Sequence, residues 1–160
     1  MLDVQSQSIS KLKRYNYTCV VPNNLYGIND NFDLENSHVI PGIISKVKVA
    51  LDSNKKTVKL WGDGTPKREF TFASDIPDVI AHLLTRKKIP SVINIGNVNR
   101  EYTILEVAND IISLMEADIK LSWNIKAPKG QERKPSSDEK IRKLKYDSSN
   151  YTDLRLGLKK

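Results

Sequence analysis

Apolar positions along the chain fall into short contiguous runs and longer runs spaced by three and four. The first signals strands and the second helices. Tyr17 to Val21, β-branched and bounded by Pro22, predicts a buried strand, and the residues before it (1 to 14) look like the tail of a helix. Asn23 to Asn36 then reads as a long loop, and its Leu25, Tyr26, Phe32 and Leu34 require it to pack against something. Ser37 is placed to cap a helix carrying Val39, Ile40, Ile43, Ile44 and Val47, with Pro41 in a first turn where its missing N–H costs nothing. Thr57 to Trp61 is a strand, "WGDGTPKREF" a glycine-proline turn, and Arg68 to Phe72 its returning partner. Ser74 caps a helix with Ile76, Val79, Ile80, Leu83 and Leu84 on one face. Val92 to Ile95 is a strand closed by Gly96. Thr103 and Glu106 have the spacing of a capping box, opening a helix that buries Ile104, Val107, Ala108, Ile111, Ile112 and Met115. Ile119 to Trp123 is a last strand, before a polar loop and a short basic helix near Asp138 to Leu144. The pattern is α/β, mixed rather than strictly alternating.

Composition narrows the class. A chain of 160 residues with 39% hydrophobic and 28% charged positions has the makeup of one globular domain. It contains no run of about 18 apolar residues, and "MLDVQSQSIS" lacks the pattern of a secretory leader. The single Cys19 has no disulfide partner within the chain and reads as a small buried thiol. These features predict a cytoplasmic protein. The net charge of +7 is scattered over Lys11 to Arg14, Lys55 and Lys56, Arg86 to Lys88, Arg133 and Lys134, and Lys140 to Lys145. That spread favours solvated faces and a general affinity for anionic ligands over a nucleic-acid module.

Candidate chemistry is sparse. No GxGxxG or GxxGxxG phosphate cradle, HExxH, CxxC or Ser–His–Asp order is present. His82 lies among apolar residues of a predicted helix and reads as packing. His38 follows the acidic, asparagine-rich "NFDLEN" just where an apolar run begins. It is a capping or packing histidine, or a group placed to move protons.

Four segments bear on that choice: "VPNNLYG", "NFDLENSHVIPGII", "VKLWGDGTPKREFTFASDI" and "INIGN" with "YTILEVA". In this order they resemble the C-terminal half of the GDP-L-fucose synthase family, within the extended short-chain dehydrogenase/reductase group of nucleotide-sugar epimerases and reductases. The resemblance covers roughly residues 15 to 146. "NLYG" or "REF" alone is shared widely, whereas "NFDLENSHVIP" beside "WGDGTPKREF" is specific to this family and its near relatives.

The resemblance implies the C-terminal part of an extended Rossmann-type enzyme, without its dinucleotide-binding half. Residues 1–36 are then the last piece of the Rossmann half and 37–160 a substrate-binding domain. It implies NADP(H) as cofactor, a GDP-linked keto-deoxy sugar as substrate, and exchange of protons beside the ketone before hydride transfer. In the family the His of "NSHV", here His38, is the acid of the epimerisation and also borders the cofactor. A helix N-terminus disfavours imidazolium, which suits a ring that must give up a proton. Pro22, Asn23, Asn24 and Leu25 match the segment lying along the nicotinamide; as residues they read equally as an ordinary turn. Lys46, Trp61 and Arg68 match substrate contacts; as residues Trp61 reads as a core aromatic and Arg68 as a strand-surface charge.

Two departures bear on recognition. Lys46 stands where the family has Arg, and "APKGQERK" puts Lys129 where an Asp touches the substrate. The YxxxK pair of the family has no counterpart either. The expectation is therefore a fragment of a GDP-L-fucose-forming epimerase–reductase, inactive alone, completed by the missing N-terminal half or a homodimer partner, with no nucleic acid and no membrane. The alternatives are an enzyme for another GDP-sugar such as a GDP-deoxyheptose, or a non-catalytic nucleotide-sugar-binding or partner-binding domain.

Overall fold

The hairpin expected around "WGDGTPKREF" does not form. In the computed structural model, which describes residues 2–13, 17–127 and 129–160, the strand before the turn and the strands after it belong to different sheets. The order is α1 (Leu2–Lys13), β1 (Cys19–Pro22), β2 (Asn24–Tyr26), α2 (Val39–Asp52), β3 (Thr57–Trp61), β4 (Lys67–Arg68) and β5 (Phe70–Phe72). There follow α3 (Ile76–Leu84), β6 (Val92–Ile95), β7 (Tyr102–Thr103), α4 (Ile104–Leu114), β8 (Lys120–Asn124), α5 (Glu139–Lys143) and α6 (Leu154–Leu158). Met1 and Arg14, the ends of the helix read from sequence, and Pro128 of "APKGQERK" lie outside the described residues.

Strands pair across long stretches of chain. β1 runs parallel to β6, β2 to β5 and β3 to β8, while β4 is antiparallel to β7. The turn after β3 explains the lost hairpin. Gly62 and Gly64 take φ of +75° and +80°, which glycine adopts without strain. A Cβ on Gly64 would come within 2.7 Å of the Trp123 ring, so the turn lies pressed against β8 instead of folding β4 back onto β3.

Other expectations change in detail. β1 is only half-buried, and Val21 and Pro22 are exposed, because among the described residues β1 has a partner strand on one side only. Cys19 is correspondingly half-buried. The loop expected from Asn23 begins as β2. α3 is entered through a 3-10 turn at Ala73–Asp75 rather than capped by Ser74, and Leu84 faces solvent while Val79 and Leu83 are buried. The box opening α4 forms as read: Glu106 N–H donates to Thr103 Oγ1 at 3.0 Å and Thr103 N–H to Glu106 Oε2 at 2.7 Å.

Two clusters of buried side chains result, and each draws on residues from both sides of position 36. One joins Tyr26, α2, β3, β5 and α4 through Val47, Leu60, Phe72, Val107 and Ile111. The other joins Val79, Leu83, Ile93, Ile95 and Ile141, with Val20 against it. The final residues, unassigned from sequence, fasten both: Leu154 enters the first cluster and Tyr151 the second. Tyr26 OH donates to Leu154 O, Thr152 N–H and Oγ1 donate to Asp75, and Arg155 pairs with Asp110. The start of α2 at Val39 and the ends of β1 at Pro22 and β3 at Trp61 line adjoining cavities.

Candidate active site

The segment that delivers His38 is stitched by its own short side chains. Asn31 Oδ1 accepts from Asp33 N–H, Asp33 Oδ1 accepts from the N–H groups of Glu35 and Asn36, and Asn31 Nδ2 donates to Asn36 O. Such side-chain turns replace helix or sheet bonds where the chain must reverse. The same Asn36 and Glu35 N–H groups hold the Asp33 carboxyl below the usual carboxylate range. Ser45 Oγ, from α2, donates to Phe32 O at 2.7 Å and pins the loop to the helix.

The N-cap of α2 is His38 itself, one residue later than read from the sequence. Its φ of −69° and ψ of 170° are extended, and its C=O accepts the first helical bond, from Gly42 N–H at 2.9 Å. Its imidazole makes no cap bond and is exposed, so the ring is neither a core residue nor a cap. Ser37 lies beside Gly42, where a Cβ would stand 2.7 Å from Ser37 Oγ.

His38 is shared by two adjoining cavities. One, of about 540 Å³, is lined by Pro22, Asn23, Asn24, Leu25 and Arg68 together with Ser37 to Pro41 and Phe70. The other, of about 170 Å³, is lined by Lys46, Trp61, Leu34 and Leu60 together with Ser37 to Val39. Pro22 to Leu25, Lys46, Trp61 and Arg68 therefore each border one of the two cavities that meet at His38. Trp61 is 63% exposed rather than a core aromatic, and Lys46 Nζ stands 5.7 Å over its ring, a cation–π distance. Arg68 Nη1 donates to Lys67 O at 2.6 Å and Nη2 to Gln131 O at 2.8 Å. Carbonyls steady the fork without neutralising it, so its charge remains available to an anion.

The Pro22–Leu25 rim is held by residues that sequence reading passed over. Asn23 Nδ2 donates to Asn97 O at 3.1 Å and to Glu69 Oε2 at 3.4 Å, while its Oδ1 accepts from Thr71 Oγ1 at 2.6 Å. Thr71 Oγ1 accepts in turn from Asn97 N–H at 2.7 Å. Asn24 Nδ2 donates to Glu69 O at 2.8 Å. Gly96 makes room: its φ is +136°, and a Cβ there would lie 2.5 Å from Asn23 Oδ1. The available signal was alternation in "REFTF", which sends Arg68 and Phe70 to one face and Glu69 and Thr71 to the other.

Lys129 does not face this region. It bridges Asp63 at 2.9 Å and Glu132 at 2.6 Å, closing the loop at 129–132 over the Gly62 turn. Asp63 is held down to about 2, chiefly by the Thr65 N–H and then by Lys129. His82 packs as read, with Nε2 2.9 Å from Leu144 O and its ring edge-on to Tyr146. Among the described residues, no group of three or more His, Cys, Asp or Glu is placed to hold a metal ion, and no helix is long and apolar enough to cross a membrane.

Comparison with known proteins accords with this geometry. The chain is 34% identical over 147 residues to GDP-L-colitose synthase of Yersinia pseudotuberculosis, covering 91% of this chain and 47% of that protein. It is 36% identical over 138 residues to GDP-L-fucose synthase 1 of Arabidopsis thaliana, covering 86% and 42%. The crystal structure of a GDP-L-fucose synthetase from Naegleria fowleri bound to NADP superposes with a TM-score of 0.88 at 25% identity, over 99% of this chain and 51% of that one. The chain thus spans about half the length of the curated relatives it matches. The model of the NAD dependent epimerase/dehydratase family matches residues 1–96. With that model covering more than half of its residues and the fold superposing on a solved relative, the chain belongs to the NAD dependent epimerase/dehydratase family.

Proposed function

We propose that this chain forms the sugar-binding side of an NADP-dependent epimerase–reductase that converts GDP-4-keto-6-deoxy-D-mannose to GDP-L-fucose in the cytoplasm. The observation that carries the reading is the meeting of His38, the Pro22–Leu25 rim and Arg68 around one cavity, with Lys46 and Trp61 on the next. Residues 1–36 border the nicotinamide and residues 37–160 hold the sugar nucleotide.

Each side chain has a distinct task. Arg68 binds a phosphate oxygen of the diphosphate, and the Trp61 face with Lys46 beside it flanks the nucleotide. His38, on the stitched loop and at the positive end of α2, gives its proton to the carbon beside the ketone. A base on the opposite face of the sugar has removed the original proton, so the carbon inverts. The Pro22–Leu25 backbone lies along the nicotinamide, which supplies the hydride when bound. Hydride transfer in the family also needs a glycine-rich cradle and a Tyr–Lys pair; neither is among these 160 residues, so a separate N-terminal half would have to supply them.

Ligand titrations followed by NMR test this. GDP-mannose should shift the His38 ring and Trp61 indole resonances, and His38→Gln should leave that binding within about twofold while abolishing deuterium wash-in beside the ketone in the completed enzyme. A preference for UDP-sugars over GDP-sugars overturns the reading. A second substrate, a GDP-deoxyheptose, is favoured by one observation: Lys129 is tied to Asp63 and Glu132 and offers the sugar no carboxylate. Stronger binding of a GDP-heptose than of GDP-mannose selects it.

A further inference from the structure

Glu69 is a carboxylate only 3% exposed, and the proposed chemistry gives it no task. A buried charge of this kind is costly unless it is fully hydrogen-bonded. Here it is: Oε2 accepts from Ser136 Oγ at 2.7 Å, Ser136 N–H at 3.1 Å and Asn23 Nδ2 at 3.4 Å, and Oε1 accepts from Ser136 N–H at 3.2 Å. Its own backbone carbonyl takes the Asn24 amide at 2.8 Å. Both asparagines of the rim are thus held by one residue, which also ties down the segment at 136.

The chemistry of the partners fixes the orientation. Glu69 and Asn97 O are acceptors only, so they require the NH2 of Asn23, and Thr71 must then give its hydroxyl proton to Oδ1. Both Asn23 amide hydrogens and its Oδ1 are thus engaged within the protein. We propose that Glu69 is a positioning residue: through Asn23 and Ser136 it sets where the Pro22–Leu25 backbone stands and hence how a nicotinamide ring seats against it. The assignment rests on the cofactor-side reading given above. Sites held within a fraction of an ångström need such support behind the contacting groups.

Glu69→Gln keeps the shape but brings an NH2 against donors, and Ser136→Ala is the milder variant, removing one hydroxyl and no buried charge. Isotope-labelled wild-type, E69Q and S136A chains, each assembled with an N-terminal half that carries the glycine-rich cradle, are titrated separately with NADPH and with GDP-mannose. The Asn23 side-chain amide pair, protected and well separated in the wild type, should move toward free-amide positions in E69Q. NADPH binding should weaken by about tenfold in E69Q, which removes the buried charge, and about twofold to threefold in S136A, which removes only one of its partners. GDP-mannose binding, read at the Trp61 indole, should change by less than about twofold. An unmoved Asn23 pair in both variants, or equal weakening of both ligands, overturns the proposal, the latter because general damage is not positioning. If neither ligand perturbs the wild-type site, the functional reading falls, and the Asn23 amide pair still decides whether Glu69 sets the rim.

Discussion

Replacing Gly96 by alanine tests the rim where its geometry is tightest. The new Cβ would sit 2.5 Å from Asn23 Oδ1 and 2.6 Å from Asn23 Cγ, far inside contact distance. It would also occupy φ of +136°, a region closed to L side chains, at a cost of about 1–3 kcal/mol. Asn23 must then swing away, leaving the Thr71 hydroxyl, 0% exposed, without its acceptor. A buried polar group so stranded costs about 1–3 kcal/mol. Together these predict a loss of roughly 2–6 kcal/mol, a large part of the 5–15 kcal/mol that holds a typical domain. With a urea slope of about 2 kcal/mol per molar, the unfolding midpoint should fall by roughly 1–3 M. Repeating the substitution in an Asn23→Ala background removes the obstacle, so only the backbone strain of about 1–3 kcal/mol should remain. Equal losses in the two backgrounds would refute the argument that Asn23 occupies the space kept open by Gly96.

Other outcomes follow from local features. Thr103→Ala removes the cap of α4 and should cost about 1 kcal/mol, seen as a drop of about 2–4 °C in melting temperature; no change would mean the box is not holding the helix. Asp63, held down to about 2 from 3.8, lends stability that is present above the higher value and lost as pH falls through the lower. Asp63→Asn should therefore flatten the stability profile between pH 4 and 2, and an unaltered acid limb would discount the Thr65 and Lys129 contacts. Tyr151 is pushed up to about 12 from 10.0 by burial, so the folded state favours its neutral form, and this preference is lost as pH rises between those values. Tyr151→Phe should move alkaline unfolding to higher pH. Leu154→Ala should destabilise by about 2–5 kcal/mol in chemical denaturation; a cost below about 1 kcal/mol would mean the C-terminal residues are not part of the core.

The helices were legible because their signals are local. The Thr103–Glu106 box and the apolar faces of α2 and α4 are written within a few residues of one another. Strand partners were not. Thr57 lies opposite Lys120 and Cys19 opposite Val92, and parallel pairing at such separations leaves no turn to read. The adjacency of "VKLW" and "REFTF" therefore suggested a hairpin that two glycines and Trp123 forbid. At the candidate site, His38 and the residues around it could be singled out because the family motif is written in short contiguous segments. Glu69 and Thr71 were invisible because their work is done behind the rim, toward Ser136 and Asn97.

The fastening of both clusters by the last residues has a kinetic consequence. Ile141 and Tyr151 complete one cluster and Leu154 the other. Three of the four strand pairs join segments made far apart in time. A nascent chain can wind its helices early, yet neither apolar interior is sealed until synthesis has passed residue 154. Until then Ile40, Val47, Val79 and Ile93, all buried in the finished fold, lack part of their cover, and pairing between such distant segments slows folding in general.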